Sequence, residues 1–252
     1  MKLLILSDIH GNWPALRAVL RAEPDRDAIL VLGDLVNYGP QPVECLTWAM
    51  NLGPGNWLVQ GNHDRAVARH EDPHCSPAYA LLARATQQAT ERMIPPEMRR
   101  FLDRLPPLQH VEIGELKCVL CHATPKEPLY HYLTERGSVN VWESELEAAR
   151  HPHFLFVGHT HLPMNVRFRK TLVVNPGSVG QPRDGDPRAA YAIWQDGNVT
   201  LRRADYDVNE TLHDYPALQL EPHLTSALCG VLRSGGDLPS EHTLNPSSKA
   251  VR

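Results

Sequence analysis

Five short apolar runs, each followed directly by Asp, Asn or His, constrain the fold of this chain more than any other feature. The runs are KLLIL, AILVL, NWLVQ, KCVLC and FLFV. Runs rich in Ile, Leu and Val predict strands that are buried on both faces. Between the first three runs lie two segments with apolar residues at helical spacing, residues 14–23 and 42–50. Strand and helix therefore alternate, which predicts a mainly parallel sheet with right-handed crossovers.

The rest of the chain divides into a helical middle and a later antiparallel part. Residues 65–108 are rich in Ala, Gln, Arg and Glu and predict one or two helices, broken at two proline pairs. Residues 189–207 predict a hairpin that turns at Asp196 and Gly197. We expect one domain over residues 1–215, in which residues 65–108 form a helical insertion that could cap a pocket. The extension 216–252 follows, and its Pro/Ser-rich end is predicted to be disordered.

Composition excludes several classes of protein. The net charge is −4 with acidic and basic residues mixed along the chain, so no basic stripe is present to bind a nucleic-acid polymer. The apolar N-terminal run stops at Ser7, too short for a signal peptide, and no apolar run is long enough to span a membrane. Five cysteines at irregular spacing favour the reducing cytoplasm. Cys118 and Cys121 lie in a predicted strand, where residues three apart point to opposite faces, and are interpreted as two buried structural thiols.

The polar clusters after the apolar runs are candidate metal ligands. Ligands of open α/β sheets bind outside the carboxyl ends of the strands, so the fold would bring these clusters together. Singly, each residue has another explanation: a carboxylate could start a turn, and the His-x-His pair in FVGHTH could be polar surface. Together they form a set of seven nitrogen and oxygen donors: Asp8, His10, Asp34, Asn62, His122, His159 and His161.

Seven donors suit two metal ions that share one carboxylate. Two cations about 3.5–4 Å apart can clamp both the attacking and the leaving oxygen of a phosphoryl transfer. Imidazoles with carboxylates and one amide favour Mn, Fe, Zn, Ni or Co over Mg or Ca, and we expect Mn. Two divalent ions carry +4, Asp8 and Asp34 supply −2, and a bridging hydroxide leaves about +1 to attract a phosphate.

The ordered motifs DIH, GD, GNHD, CHA and GHTH resemble those of the calcineurin-like metallophosphoesterase superfamily, from Lys2 to about Asp207. The segment NPGSVGQPRDGDPRAAYAI is most similar to its small bacterial phosphodiesterase branch. The resemblance implies an α/β fold: a four-layer α/β/β/α sandwich of two mixed sheets with a dinuclear metal site at the strand ends. It implies a first metal held by Asp8, His10 and His161, and a second held by Asn62, His122 and His159. Asp34 would bridge the two ions.

The same resemblance implies roles beside the metals. His63 would be the general acid that protonates the leaving oxygen, with Asp64 supporting its loop. Where phosphoprotein phosphatases and diadenosine tetraphosphate hydrolases of the superfamily resemble GDxVDRG, this chain has GDLVNYG. Asn37 thus replaces an Asp that would orient and charge the catalytic histidine, and Tyr38 replaces an Arg that would grip the phosphate. Without those charges, a diester monoanion becomes a more natural substrate than a monoester dianion.

We therefore expect a metal-dependent phosphodiesterase in which a metal-bound hydroxide attacks phosphorus and His63 acts as general acid. Asn37, Tyr38 and Arg183 are candidate substrate-binding residues, and Arg188 lies in the same Gly/Pro-rich loop as Arg183. A phosphomonoesterase or a dinucleotide polyphosphate hydrolase is an alternative, as is a non-catalytic protein-binding scaffold of the same fold. His63 disfavours the scaffold, which has no need of a general acid. The expected partner is a small phosphate ester, and a homo-oligomer is compatible with the sequence.

Overall fold

The computed structural model describes residues 1–236 and residue 238, so the Pro/Ser-rich end predicted to be disordered lies outside the described residues. Ten strands form two five-stranded sheets. In chain order the strands are β1 Lys2–Leu6, β2 Ala28–Val31, β3 Trp57–Leu58, β4 Leu108–Ile113, β5 Leu116–Cys121, β6 Phe154–Phe156, β7 Met164–Phe168, β8 Thr171–Asn175, β9 Ala189–Gln195 and β10 Asn198–Ala204. The helices are α1 Trp13–Ala22, α2 Pro42–Met50, α3 Asn62–Arg69, α4 Ala80–Met93, α5 Pro96–Arg104, α6 Val139–Ala148, α7 Val208–Asp214 and α8 Pro222–Ser234.

Both sheets are mixed, and each has a parallel centre. In the first sheet, of order β10-β9-β1-β2-β3, β1, β2 and β3 are parallel and the predicted β9–β10 hairpin adds antiparallel strands. In the second, of order β4-β5-β6-β8-β7, β5, β6 and β8 are parallel. The carboxyl ends of the parallel strands carry the polar clusters of the sequence.

The two edge strands of the second sheet, β4 and β7, were not predicted. Both pair antiparallel with a neighbour and alternate between more and less exposed residues. The helical middle also differs from the prediction at its beginning, because α3 starts at Asn62 rather than after residue 64. The helix break at the first proline pair is confirmed, since α4 ends before Pro95 and α5 begins at Pro96.

Alternate residues of the central strands build separate cores on the two faces of each sheet. Leu3 and Ile5 of β1 pack between the sheets with Phe154 and Phe156 of β6. Leu4 belongs to a second core that the first sheet forms with α1, α2 and α5. A third core joins the outer face of the second sheet to α6. The layers therefore run helix, sheet, sheet, helix, and the predicted fold class is confirmed.

The interpretation of the C-x-x-C pair as structural is also confirmed. Cys118 lies in the core between the sheets, and Cys121 lies on the opposite face of the same sheet, beside Trp142 of α6. Both side chains are buried, and burial raises the pKa of Cys118 to about 12. A thiol held in its protonated form is a poor nucleophile and a poor metal ligand.

The helical middle and the C-terminal helix form one wall beside the carboxyl ends of the first sheet. Leu82 of α4, Leu228 of α8 and Tyr79 between them share a core with Tyr38, which follows β2. The tyrosine of the GDLVNYG motif is thus covered by residues from both segments. In the part of the chain that the structure describes, no helix is long and apolar enough to cross a membrane.

Candidate metal centre

The seven predicted metal ligands meet at one place, at the carboxyl ends of β1, β2, β3, β5 and β6. Each is at most 2% exposed. Five of them have left-handed backbone conformations, with φ between 47° and 67°: Asp8, His10, Asp34, His159 and His161. A non-glycine residue pays for such a conformation with strain, and strain of this kind concentrates at functional sites. The convergence predicted from the five motifs is present.

One group of ligands faces a common point on the side of β1. The Nε2 atoms of His10 and His161 lie 3.2 Å apart, and Asp8 Oδ1 lies 3.3 Å from Nε2 of His161. The Nδ1 atoms donate to backbone carbonyls, that of His10 to Val36 at 3.0 Å and that of His161 to Gln181 at 2.6 Å. A proton on Nδ1 leaves the Nε2 lone pair free, so both rings present an acceptor where a cation could bind.

A second group lies beside it. Asn62 Oδ1 lies 3.0 Å from Nε2 of His122, and Nδ1 of His159 lies 3.2 Å from the same Nε2. The opposite atoms are held by backbone carbonyls: His122 Nδ1 donates to Leu32 at 2.7 Å, and Asn62 Nδ2 donates to Pro73 at 2.7 Å. His159 donates through Nε2 to a carbonyl at 3.3 Å, so it presents Nδ1 rather than Nε2. Each ligand atom is thus selected by a hydrogen bond on its far side.

Asp34 lies between the two groups. Its Oδ2 atom is 3.2 Å from Nε2 of His122 and 3.7 Å from Nε2 of His10. Its Oδ1 atom accepts from the backbone N–H of His63 at 2.9 Å. Gly61 makes this approach possible, since a Cβ atom there would lie 2.0 Å from Oδ1. Oδ2 therefore lies within 4 Å of a ligand nitrogen from each group.

The electrostatics of the site call for a cation. Burial, with the neighbouring Asp34, raises the pKa of Asp8 to about 7, and its buried Oδ1 atom has no hydrogen-bond partner among the described residues. Burial lowers the pKa of His10 to about 3 and that of His161 well below its usual range. Burial disfavours the charged form of His122, but the nearby Asp34 and Asp8 raise its pKa to about 9, so this imidazole holds a proton where a cation could bind. A metal ion would replace that proton and supply the positive charge that Asp8 lacks. The residues present therefore fit the predicted metals.

His63 lies next to this centre in a defined tautomer. Asn37 Nδ2 donates to His63 Nδ1 at 2.7 Å and also lies 3.2 Å from the carbonyl oxygen of Ala83. Because that oxygen can only accept, the amide must turn its NH₂ group toward both partners. His63 Nδ1 is then an acceptor, and the ring proton sits on Nε2. Burial lowers the pKa of His63 to about 4, which keeps the ring neutral.

Of the remaining sequence-predicted residues, Tyr38 and Arg183 lie beside the metal centre, and Arg188 does not. The Tyr38 ring lies 4.9 Å from the His63 ring but is 1% exposed, so it is a buried neighbour of the site. Arg183 donates to Gln181 Oε1 at 3.1 Å and lies against the Tyr79 ring. Arg188 is half-exposed and paired with Asp186, away from the ligands.

Two contributors gave no signal in the sequence. The Tyr132 ring lies 3.9 Å from the His159 ring, yet it comes from a loop without periodicity. Gln181 acts on His161 through its backbone carbonyl, which carries no residue-specific pattern. By contrast, Asp64 performs the supporting role predicted for it, because its carboxylate accepts backbone N–H groups of Asp34, Leu35 and Gly61.

Comparison with known proteins shows the family to which this fold and site belong. The model of the calcineurin-like phosphoesterase superfamily domain matches residues 1–196. An uncharacterized protein of Methanocaldococcus jannaschii is 34% identical over 227 residues, which are 82% of this chain and 88% of that protein. The crystal structure of a metallophosphoesterase from Sphaerobacter thermophilus is 31% identical, covers 93% of this chain and 99% of its own, and superposes with a TM-score of 0.76.

A further relative is the symmetrical bis(5'-nucleosyl)-tetraphosphatase of Serratia proteamaculans, 29% identical over 175 residues. The match covers 66% of this chain but only 57% of that protein. Fold, site and comparisons together define a metallophosphoesterase, an enzyme class that uses divalent metal ions. The chain belongs to the calcineurin-like phosphoesterase superfamily.

Proposed function

We propose that this enzyme hydrolyses a phosphodiester, with two divalent metal ions and with His63 as general acid. The observation that carries the proposal is the arrangement around Asp34: one Oδ2 atom lies between two groups of metal donors, while Oδ1 holds the backbone of His63. A group that can donate a proton is thereby fixed beside a centre that can hold two cations.

The proposed ligands are those assigned from the motifs. Asp8, His10 and His161 would hold one ion, and Asn62, His122 and His159 the other. Bound metals would supply positive charge to the phosphoryl oxygens and lower the pKa of a nucleophilic water. Three or four imidazoles with carboxylates favour Mn among the available ions, with Fe, Zn, Ni and Co as alternatives. All five cysteines are free thiols, which fits action in the reducing cytoplasm.

Asn37 supports the choice of a diester. An aspartate at this position would accept a proton from His63 Nδ1 and favour the charged imidazolium. Asn37 instead donates to Nδ1, so His63 adds no positive charge and presents one N–H from Nε2. To act as general acid, His63 would first take up a proton from solvent on Nδ1, because a neutral imidazole that released its Nε2 proton would become an imidazolate. In its neutral resting form it neutralises less of the charge on a monoester dianion. The buried position of Tyr38, where an arginine would bring charge, acts in the same direction.

A second candidate is hydrolysis of the phosphoanhydride bond of a dinucleoside polyphosphate. The likeness to the symmetrical tetraphosphatase favours it. The scissile phosphorus of such a substrate also carries a single negative charge, so the same site chemistry applies. The two candidates differ in the leaving group, which is an alcohol in a diester and a phosphate in an anhydride.

His63→Ala tests the proposal. The protein is stripped of metal, reloaded with Mn²⁺, and assayed on methyl and 4-nitrophenyl diesters with the same second substituent. A proton donor contributes roughly 10²–10⁴-fold when the leaving group is poor. We expect a loss in that range for the methyl ester and a much smaller one for 4-nitrophenyl, whose anion leaves without a proton.

The matched control is His110→Ala, since His110 is exposed on the edge strand β4. It should retain wild-type rates on both esters. Metal content of the His63 variant, measured by emission spectroscopy, should stay at the wild-type value. An equal loss on both leaving groups would mean that His63 positions the substrate, and a wild type that prefers 4-nitrophenyl phosphate over bis(4-nitrophenyl) phosphate would refute the diester assignment.

A further inference from the structure

Arg183 carries a positive charge for which the described residues supply no counter-ion. Two neighbouring arginines are paired with carboxylates of this loop: Arg188 with Asp186, and Arg203 of β10 with Asp184. Among residues 1–236 and 238, no carboxylate lies within 4.0 Å of the Arg183 guanidinium. Its Nε atom is buried without a hydrogen-bond partner, although part of the residue reaches solvent. The guanidinium is therefore neither neutralised nor fully hydrated, yet it can be reached from outside.

The contacts that Arg183 makes neutralise little of its positive charge. Nη2 donates to the side-chain oxygen of Gln181 at 3.1 Å, and the guanidinium carbon lies 3.9 Å from the centre of the Tyr79 ring. An arginine stays charged at any physiological pH. Buried charges in proteins are as a rule paired, because desolvating an ion is costly. An aromatic face offsets only part of that cost. An anion is the partner that completes this arrangement.

Arg183 lies on the side of the first predicted metal. Gln181 connects the two, because its backbone carbonyl accepts from Nδ1 of His161 while its side chain accepts from Arg183. The arginine also contributes to the lowered pKa values of His10 and His161. Tyr79, against which the guanidinium packs, belongs to the wall formed by the helical middle of the chain. The charge thus stands between the metal centre and that wall.

The single negative charge of a simple diester would not neutralise the Arg183 guanidinium as well as the metal centre. Two divalent ions, the two ligand aspartates and the nucleophile leave about one positive charge, which the single negative charge of a diester neutralises. Arg183 adds a second positive charge in a partly buried place. A diester bound at the metals leaves this second charge unmatched unless the substrate brings a second negative group.

We propose that Arg183, held between Gln181 and the Tyr79 ring, is a subsite for a second phosphate group of the substrate, distinct from the scissile phosphate. The substrate class is a phosphodiester that carries a further phosphate on the group retained after cleavage. This inference rests on the proposed diesterase function and makes Arg183 a specificity-determining residue. Arginine is suited to the task, since its planar fork binds two phosphate oxygens at once.

A pair of substrates that differ only in the second phosphate tests the proposal. The first is the 5'-(4-nitrophenyl phosphate) diester of thymidine, and the second is the same ester with a 3'-phosphate. Both are assayed with Mn²⁺-loaded wild type, Arg183→Gln, Arg183→Lys and the control Arg188→Gln. We expect the wild type to prefer the 3'-phosphorylated ester by about 10- to 100-fold in kcat/KM, the range of one charge-assisted contact.

Arg183→Gln should remove most of this preference, Arg183→Lys should retain part of it, and Arg188→Gln should keep it. An equal loss on both esters in Arg183→Gln would place the arginine on the scissile phosphate and overturn the proposal. A wild type without preference overturns it as well. Thermal unfolding and metal content of each variant show whether a change in rate comes from misfolding.

Equilibrium binding separates this proposal from the proposed function. Calorimetric titration of the Mn²⁺-loaded protein compares thymidine 3',5'-bisphosphate with thymidine 5'-monophosphate. We expect tighter binding of the bisphosphate to the wild type and a loss of that difference in Arg183→Gln. If neither ester is hydrolysed but this difference is present, the diesterase function fails and the subsite stands. Equal affinity for the two nucleotides overturns the subsite whatever the rates.

Discussion

The carboxylate of Asp64 ties its own GNHD motif to the GDLVNYG motif, and replacing it by an amide should destabilise the fold measurably. Asp64 is completely buried. Its Oδ2 atom accepts from the backbone N–H groups of Asp34 at 2.8 Å and Gly61 at 3.0 Å, and Oδ1 accepts from Leu35 at 2.8 Å. In Asp64→Asn only one of the two side-chain atoms can still accept. The better orientation keeps the amide oxygen on the first two donors and turns the NH₂ group toward the N–H of Leu35.

The magnitude follows from these contacts. A hydrogen bond to a charged group contributes about 1.5–3 kcal/mol, and a buried N–H left without an acceptor costs about 1–3 kcal/mol. Part of the loss is offset, because the amide carries no charge to desolvate; burial and the nearby Asp34 already raise the pKa of Asp64 to about 7. We expect a net loss of about 2–4 kcal/mol in the free energy of unfolding, out of roughly 5–15 kcal/mol for a typical domain.

Urea unfolding of metal-free protein, followed by tryptophan fluorescence, measures this loss from the shift in midpoint at constant slope. The control is Asp25→Asn, because Asp25 is exposed in the loop between α1 and β2. A surface change of that kind usually stays within about 0.5 kcal/mol. If Asp64→Asn is as stable as this control, the three N–H contacts do not stabilise the fold and the reasoning is wrong.

Two further predictions concern the bridging carboxylate and a buried ionic cluster. Asp34→Asn should abolish hydrolysis and lower metal content. Mn²⁺ at about 100 times its Kd stabilises a fold that can bind it by about 2.7 kcal/mol, so it should raise the Tm of the wild type but not of the variant. Full activity in the variant would contradict the bridging role of Asp34. Burial raises the pKa of Glu23, but hydrogen bonds from Lys2, Tyr191 and Arg202 outweigh burial and hold it below its usual 4.5. Because the folded-state pKa is the lower one, this stabilisation is complete above about pH 4.5 and is lost as pH falls through the folded-state value. Glu23→Gln should therefore be less stable at pH 7 and lose less on acidification, as urea midpoints across pH will show; parallel curves for wild type and variant would exclude this role.

The parts of the fold that sequence reasoning recovered are those where one local pattern permits one structure. The apolar runs of β1, β2 and β5 have buried residues on both faces, so they could only be central strands. The edge strands β4 and β7 are short and contain several polar residues, so their sequences resemble surface loops, and pairing with β5 and β8 makes them strands. The start of α3 at Asn62 was missed for a related reason, since a ligand motif and a helix N-terminus share the same residues.

The candidate site, like the fold, could be predicted only in part from the sequence. Side chains of ordered motifs could be assigned, because their positions after strands bring them to one edge. The backbone carbonyls that orient His10, His122 and His161 have no sequence signature. The charge pairing of Arg183 has no sequence signature either, because it depends on where every nearby carboxylate lies in the fold. Sequence reasoning named Arg183 as a candidate, but only the structure shows that none of the described carboxylates pairs with it.

The geometry around the ligands shows how closely the surrounding fold fixes them. Five ligand residues hold strained left-handed conformations, and each imidazole of the two groups is oriented by a carbonyl behind it. Such strain persists only when the surrounding structure overdetermines it. Here the buried strands on both sides and the three N–H contacts of Asp64 supply that support. The stability that the strain removes must then come from the cores of the two sheets. Substitutions in the core between the sheets should accordingly weaken metal binding at a distance, whereas changes on the outer face of α6 should not.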